Sequence, residues 1–258
     1  MGLMESIKIV LGDTKLVKGL GSFGSRSLFV GGTALLEGTK EFLQKGKELA
    51  AEELEAAEDD ILYHNGRFQV TGTSIGVGLF DLASKQPLKY ISTETEKTVE
   101  GRSWPNGCHI AEVEIDPETG RVFLASYGNV DDTGNMINPM IVDGQIKGGI
   151  AQGAGQVLLE QSVYDSEGQL LTASFMDYAM PRADDLPLIQ SSTFTDAPCL
   201  TNPLGAKGVG EIGTVGSIPT ISNAILDALW DQGVRKFDMP AYPQKIWKLI
   251  QEAKNLRQ

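Results

Sequence analysis

One carboxylate stands alone among small residues. Glu211 lies in Asn202-Pro203-Leu204-Gly205-Ala206-Lys207-Gly208-Val209-Gly210-Glu211-Ile212-Gly213-Thr214-Val215-Gly216-Ser217. Glycine lets a backbone approach a ligand closely or take a positive φ. A carboxylate with no side-chain crowd around it is placed there to act on a bound group. The alternative is an acid whose sole role is to sit near the positive end of the helix that follows.

Two further stretches offer polar groups on a yielding backbone. Gly19-Leu20-Gly21-Ser22-Phe23-Gly24-Ser25-Arg26-Ser27 precedes a long helical stretch. Ser25 and Ser27 are natural N-caps, and free N–H groups beside two hydroxyls and Arg26 would hold an anion. A plain helix cap with Arg26 in solvent is the other reading. No G-K-[ST] follows, so the loop is not of the Walker type. Met140 to Leu159 carries Gly144, Gln145, Gly148, Gly149, Gln152, Gly153 and Gly155. Small residues at three- and four-residue spacing allow close packing against a neighbour or a cofactor. Gln145 and Gln152, seven apart, share a face. Buried there, they would need partners, from a neutral cofactor edge or from nearby backbone.

Composition narrows the function classes. The 258 residues suffice for one large or two medium domains. A net charge of −12 argues against nucleic-acid binding, which needs a basic face. No apolar run approaches membrane-span length, and Met1 to Val10 lacks the pattern of a signal peptide. The two cysteines, Cys108 and Cys199, cannot form a four-cysteine iron–sulfur or zinc site. As free thiols they fit a reducing cytoplasm. His64 and His109 are isolated, so no His–carboxylate metal site is expected from this chain alone. The 30 glycines cluster at 19–38, 144–155 and 205–216, which suggests three backbone-lined surfaces converging on one site.

The elements that must position these groups follow from periodicity. Ser6 to Leu11 reads as a strand, and about Leu28 to Ala57 as a long helix. Ile61–His64 and Arg67–Val70 flank Asn65-Gly66, a hairpin turn pair. Val77 to Ser84 reads as a short helix, and 85–107 as a long loop at the surface or the mouth of a cleft. His109–Ile115 and Arg121–Tyr127 are strands joined at Asp116–Gly120, with His109 on a strand face in a structural role. Gly128 to Gly134 reads as a turn-rich loop. Its Asp131 and Asp132 lack EF-hand spacing and are taken as solvated. Val163–Leu170 is hairpin-like. The helix after the glycine loop is expected to start behind a Ser217 cap, with Pro219 in its first turn and Ile221, Ala224, Ile225, Ala228 and Leu229 at helical spacing. A last amphipathic helix covers Pro243 to Lys254.

Five separated blocks, in order, resemble one family. They are Val10-Leu11-Gly12-Asp13-Thr14; Gly21 to Ser27; Asp131-Asp132-Thr133-Gly134 with Ile137-Asn138-Pro139; Gly144 to Gly153; and Asn202-Pro203-Leu204-Gly205 through Gly210-Glu211. Together they resemble the C-terminal part of the molybdenum-binding large subunit of the xanthine dehydrogenase and aldehyde oxidase family, the molybdenum hydroxylases. The style is nearest the aerobic carbon monoxide dehydrogenase branch. The resemblance implies an α+β fold, with residues 1–258 as the C-terminal portion of the molybdopterin-binding domain. Two interleaved subdomains would meet near 100–130.

It also implies a chemistry. A pterin, in bacteria usually the cytosine dinucleotide form, carries molybdenum, and a small substrate (purine, aldehyde, N-heterocycle or CO) is oxidised there. The glutamate matching Glu211 is the general base. Gly24, Ser25, Arg26 and Ser27 match a pterin-contacting loop, and Gln145 a glutamine near the molybdenum ligands. Gln152 and Gly210 are further cofactor contacts, and no residue ligates the metal directly. The 2Fe-2S clusters and FAD are expected on partner subunits. The family's large subunit is longer, so the resemblance implies a truncated chain, a degenerate product or one half of a split subunit, completed by the remaining part. The competing class is a noncatalytic binding or assembly protein that keeps the family fold.

Overall fold

The computed structural model describes residues 4–16, 19 and 21–256. Met1–Leu3, part of the N-terminal reading, and Leu20 of the glycine turn lie outside them. The chain divides into two compact units. The first joins the segment ending at Ser22 to Val30–Glu100, and the second joins Phe23–Phe29 to Gly101–Gln258.

In the first unit, helix α1 (Ser27–Leu54, entering from the second unit) precedes a three-stranded antiparallel sheet, β1 (Ile61–His64), β2 (Arg67–Val70) and β3 (Gly76–Gly78), and a short helix α2 (Leu79–Lys85). The hairpin forms as the sequence predicts. Asn65 and Gly66 both take positive φ, 47° and 80°, as a tight two-residue turn requires. Ile61, Phe68, Val77 and Leu82 make its core with Ala50 of α1. Two expectations fail. Val77 belongs to β3, so the predicted helix begins two residues later, because residues 76–78 pair along β2. Ser6 to Leu11 forms no strand. Ser6 ends a short 3-10 turn, residues 7–11 join no strand ladder among the described residues, and Ile7, Ile9, Val10 and Leu11 stay exposed. A strand without a neighbour leaves its backbone donors unmet.

In the second unit, β4 (Gly107–Ile115) and β5 (Val122–Asp132) are antiparallel, and β6 (Ile189–Phe194) adds to β5 in parallel. Helix α3 (Pro139–Leu158) follows β5 on the way to β6. It starts on an Asn138 cap whose side chain accepts the Ile141 N–H, with proline at its first position. Helices α4 (Ile212–Trp230) and α5 (Pro243–Asn255) complete the unit. Ile146, Ile150 and Val157 of α3 meet Ile221, Ile225 and Leu229 of α4 and Ile246 and Ile250 of α5 in one core. Each such side chain contributes roughly 1.5–3 kcal/mol through burial. The small residues of α3 act as expected toward a neighbour: a side chain at Gly149 would meet Gly213 and Thr214 of α4 at 3.0 Å.

Three corrections fall in this unit. β5 runs on through Asp132, so Gly128–Asp132 is strand rather than loop, and Asp131 is fully buried. Asp132 is not a solvated acid either, since it pairs with Lys207. Helix α4 begins at Ile212, so Ser217 is a buried interior residue, not a cap, and Pro219 lies inside the helix. The glycines that read as loop are helical because they admit α3 at contact distance.

Candidate functional site

The site lies within the second unit. Glu211 is the N-cap residue of α4, exposed, with its backbone carbonyl accepting the Val215 N–H. Its Oε2 accepts a hydrogen bond from the Ser25 hydroxyl at 2.7 Å. Ser25 is held at φ 54°, a left-handed conformation uncommon for serine. Gly208 makes that approach possible: a Cβ at 208 would lie 2.8 Å from Ser25 Cβ. The Gly208 N–H in turn donates to Ser103 Oγ at 3.0 Å. Lys207 ties the same loop to Asp132 at the end of β5. The glycine loop is therefore fixed from both sides where it presents the carboxylate.

The three glycine-rich stretches do meet. A Cβ at Gly210 would stand 3.6 Å from both Gln145 Oε1 and Ser25 Oγ. Gly24, Ser25 and Glu211 line one open cavity of about 360 Å³, together with Trp104, Asn106 and His109. The loop 85–107 thus does reach the mouth of a cleft at its C-terminal end. The remaining predicted residues sit apart from the cavity lining. Arg26 stacks over the Phe23 ring at 3.7 Å instead of standing free in solvent. Ser27 opens α1, and the Ser25 hydroxyl is directed to Glu211 rather than to a cap. Gln145 and Gln152 share a face as predicted, yet both are exposed rather than buried. Gln152 Oε1 accepts from Thr214 Oγ1 at 3.1 Å.

That exposed α3 face is a test of fit for a large cofactor. Gly144 and Gly148 have nothing within 4 Å of where a side chain would go, nor does Gly24. Gln145, exposed, lies between the two helical glycines in sequence, with its Oε1 near Gly210. Open backbone flanking a carboxamide and a carboxylate suits a flat, hydrogen-bonding group such as a pterin. Among the described residues no three metal-ligating side chains gather.

Sequence reasoning missed a buried polar cluster in the cavity wall. His109 faces Asn129 across the β4–β5 ladder, which sets it diagonally between Tyr127 and Asp131 on one face of β5. His109 Nδ1 lies 2.7 Å from the Tyr127 hydroxyl and Nε2 lies 3.1 Å from Asp131 Oδ1. Asn129 Nδ2 donates to Asp131 Oδ2 at 2.7 Å. Burial holds the Tyr127 phenol well above its usual range, so its hydroxyl keeps its proton. A carboxylate only accepts, so His109 Nε2 carries the hydrogen that faces Asp131, while the Tyr127 hydroxyl meets both Nδ1 and Thr220. The signal available was the alternation of Tyr127, Asn129 and Asp131 opposite His109.

Residues 2–187 match the family described as "Molybdopterin cofactor-binding domain". The chain belongs to this family. It is 35% identical over 257 residues to the 6-hydroxypseudooxynicotine dehydrogenase complex subunit gamma of Paenarthrobacter nicotinovorans, covering 96% of this chain and 32% of that protein. It is equally similar, 35% over 257 residues with the same coverage, to the carbon monoxide dehydrogenase large chain of Hydrogenophaga pseudoflava. Among solved structures, reconstituted CO dehydrogenase from Oligotropha carboxidovorans superposes with a TM-score of 0.78 at 30% identity. That match covers 95% of this chain and 32% of the other. The mixed α+β fold is thus that of the molybdopterin-binding part of molybdenum hydroxylases. The chain spans about a third of the length of these relatives.

Proposed function

We propose that this chain supplies one wall of the active site of a molybdenum-dependent oxidoreductase, a hydroxylase or dehydrogenase of a small substrate, with Glu211 as general base. The observation that carries this reading is the Glu211 carboxylate at the cavity, with Oε2 engaged by Ser25 and Oε1 without a protein donor among the described residues. One oxygen is anchored and the other is free to accept a proton at the cavity. The molybdenum cofactor, when bound, supplies the two-electron oxidation. Gln145, with Gly144 and Gly148 beside it, would lie along the pterin. Gly24, Ser25 and Gly210 would form its edge nearest Glu211, with Arg26, Ser27 and Gln152 as outer contacts. The cytosine dinucleotide form belongs to the same proposal.

The partners are the remaining part of the molybdenum subunit, and iron–sulfur and FAD subunits that carry electrons away. Exposed apolar side chains support a covering partner: Phe175, Met176, Leu188 and Leu200 are each more than four-fifths exposed, as is Leu11. The two units of the chain are proposed as the two interleaved subdomains, and the compartment as cytoplasmic. Among the described residues no helix is long and apolar enough to cross a membrane.

The test is to co-express the chain with its neighbouring reading frames, purify the complex, and measure molybdenum and cytosine nucleotide. Co-purification of this chain with both, in near one-to-one ratio, is expected. A stable complex that never takes up molybdenum under conditions that load a known relative would overturn the proposal in favour of an assembly or binding role.

A further inference from the structure

Helix α4 carries Glu211 at its start, and something must fix where that start lies. Five residues on, about 7.5 Å along the axis, Gly216 rests against the His109 imidazole. A Cβ at 216 would meet Cε1 at 2.5 Å, Nδ1 at 2.6 Å and Nε2 at 2.7 Å. No side chain fits between the ring and the helix backbone. The ring itself cannot drift. Its side chain is 4% exposed, Asp131 takes one nitrogen and Tyr127 the other. Asp131 is fully buried and is gripped from behind by Asn129, which also donates to Ser191 Oγ of β6 at 3.2 Å. All three strands of the sheet therefore contribute to the position of one imidazole.

We propose that His109 is a positioning residue for Glu211: its clamped imidazole is the seat for the first turns of α4 and thereby sets where the carboxylate stands in the cavity. This rests on the reading of Glu211 as general base. A metal-bearing site needs the base within a fraction of an ångström of its working place, and a displacement of about 1 Å costs on the order of 10²-fold in rate. Ser25 fixes the carboxylate laterally. His109 fixes the helix that bears it. Tyr127 and Asp131 act one step further back, by holding the ring in one plane.

The experiment compares His109→Ala, Tyr127→Phe and Glu211→Gln in the assembled, cofactor-loaded complex. It is read by kcat, KM, molybdenum content and amide hydrogen exchange of the peptides covering 208–220. His109→Ala is expected to keep molybdenum and KM within about twofold, lose about 10- to 100-fold in kcat, and exchange faster at the start of α4. Added imidazole, which fits the space left, restores at least a third of the lost kcat and slows the exchange again. Tyr127→Phe shows a smaller kcat loss of the same kind. Full kcat in His109→Ala alongside an inactive Glu211→Gln would overturn the inference and leave the role of Glu211 standing. Full activity in Glu211→Gln would overturn that role itself. Loss of molybdenum in His109→Ala, unrelieved by imidazole, would show a general fold requirement and also overturn the inference.

Discussion

The two units use the same packing device to different ends. In the first, the Phe68 ring of β2 fills the space over Gly46 of α1, where any side chain would overlap it. In the second, the His109 ring of β4 fills the space over Gly216 of α4. Both are a glycine on a helix set against a ring on a strand. Phe68 is fully buried, with Tyr63 beside it at 4.8 Å between centroids and Ala50, Ile61, Val77 and Leu82 in the same apolar cluster. His109 has a carboxylate and a phenol on its two nitrogens and borders an open cavity. The dry pair supplies stability. The polar pair carries the added cost of a buried carboxylate, and that expense is understandable where the helix it supports presents a reactive group.

The largest expected effect is at the dry pair: Phe68→Ala should destabilise by about 3–5 kcal/mol, seen as a lower melting temperature and faster hydrogen exchange in α1 and the 61–70 hairpin. A loss under about 1 kcal/mol would mean that this ring does not organise the first unit. Next is His109→Phe, which keeps ring volume but removes the donor to Asp131. Leaving that carboxylate buried without its partner should cost about 3 kcal/mol in denaturant unfolding. Adding Asp131→Asn should recover at least about 1 kcal/mol. A neutral His109→Phe would make the two pairs equivalent and remove the distinction.

Ser25→Ala removes the anchor on Glu211 Oε2 and should lower turnover about tenfold, or about 1.4 kcal/mol, with molybdenum retained. Unchanged turnover would make the contact incidental. The smallest effect is at the exposed β4–β5 turn, far from either ring in character. The Thr119 hydroxyl and then the Glu118 N–H hold the Asp116 carboxyl below its ordinary value of 3.8. A lowered folded value means the contribution is complete above the ordinary value and is lost as pH falls through the lowered one. Asp116→Ala should therefore melt slightly earlier than the parent at neutral pH and identically in strong acid. A gap that persists in acid would refute this assignment.

Much of this was readable from residue types. Asn65-Gly66 announced its hairpin, the Ala/Leu/Glu/Lys-rich stretch announced α1, and the convergence of glycine stretches on Glu211 followed from where glycine clusters. What was hidden had one cause, the double meaning of small and polar residues. Gly213 and Gly216 looked like loop, yet they are helical because α3 and His109 press on them. Asn129, Asp131 and Asp132 have turn-forming side chains, but pairing with both β4 and β6 holds Asn129 and Asp131 in strand, and pairing with β6 holds Asp132. Strand β6 itself, Ile-Gln-Ser-Ser-Thr-Phe, is too polar to be noticed until its parallel partner is known. The sequence places His109 on a strand face but does not show its partners, which stand 18 and 22 residues away.

The most direct measurement is turnover of the assembled, molybdenum-loaded complex carrying Glu211→Gln. With Glu211 as the base, molybdenum and cofactor content stay normal and turnover falls by about 10²- to 10⁴-fold, the range of a lost general base. Turnover within twofold of the parent at equal molybdenum content would contradict it.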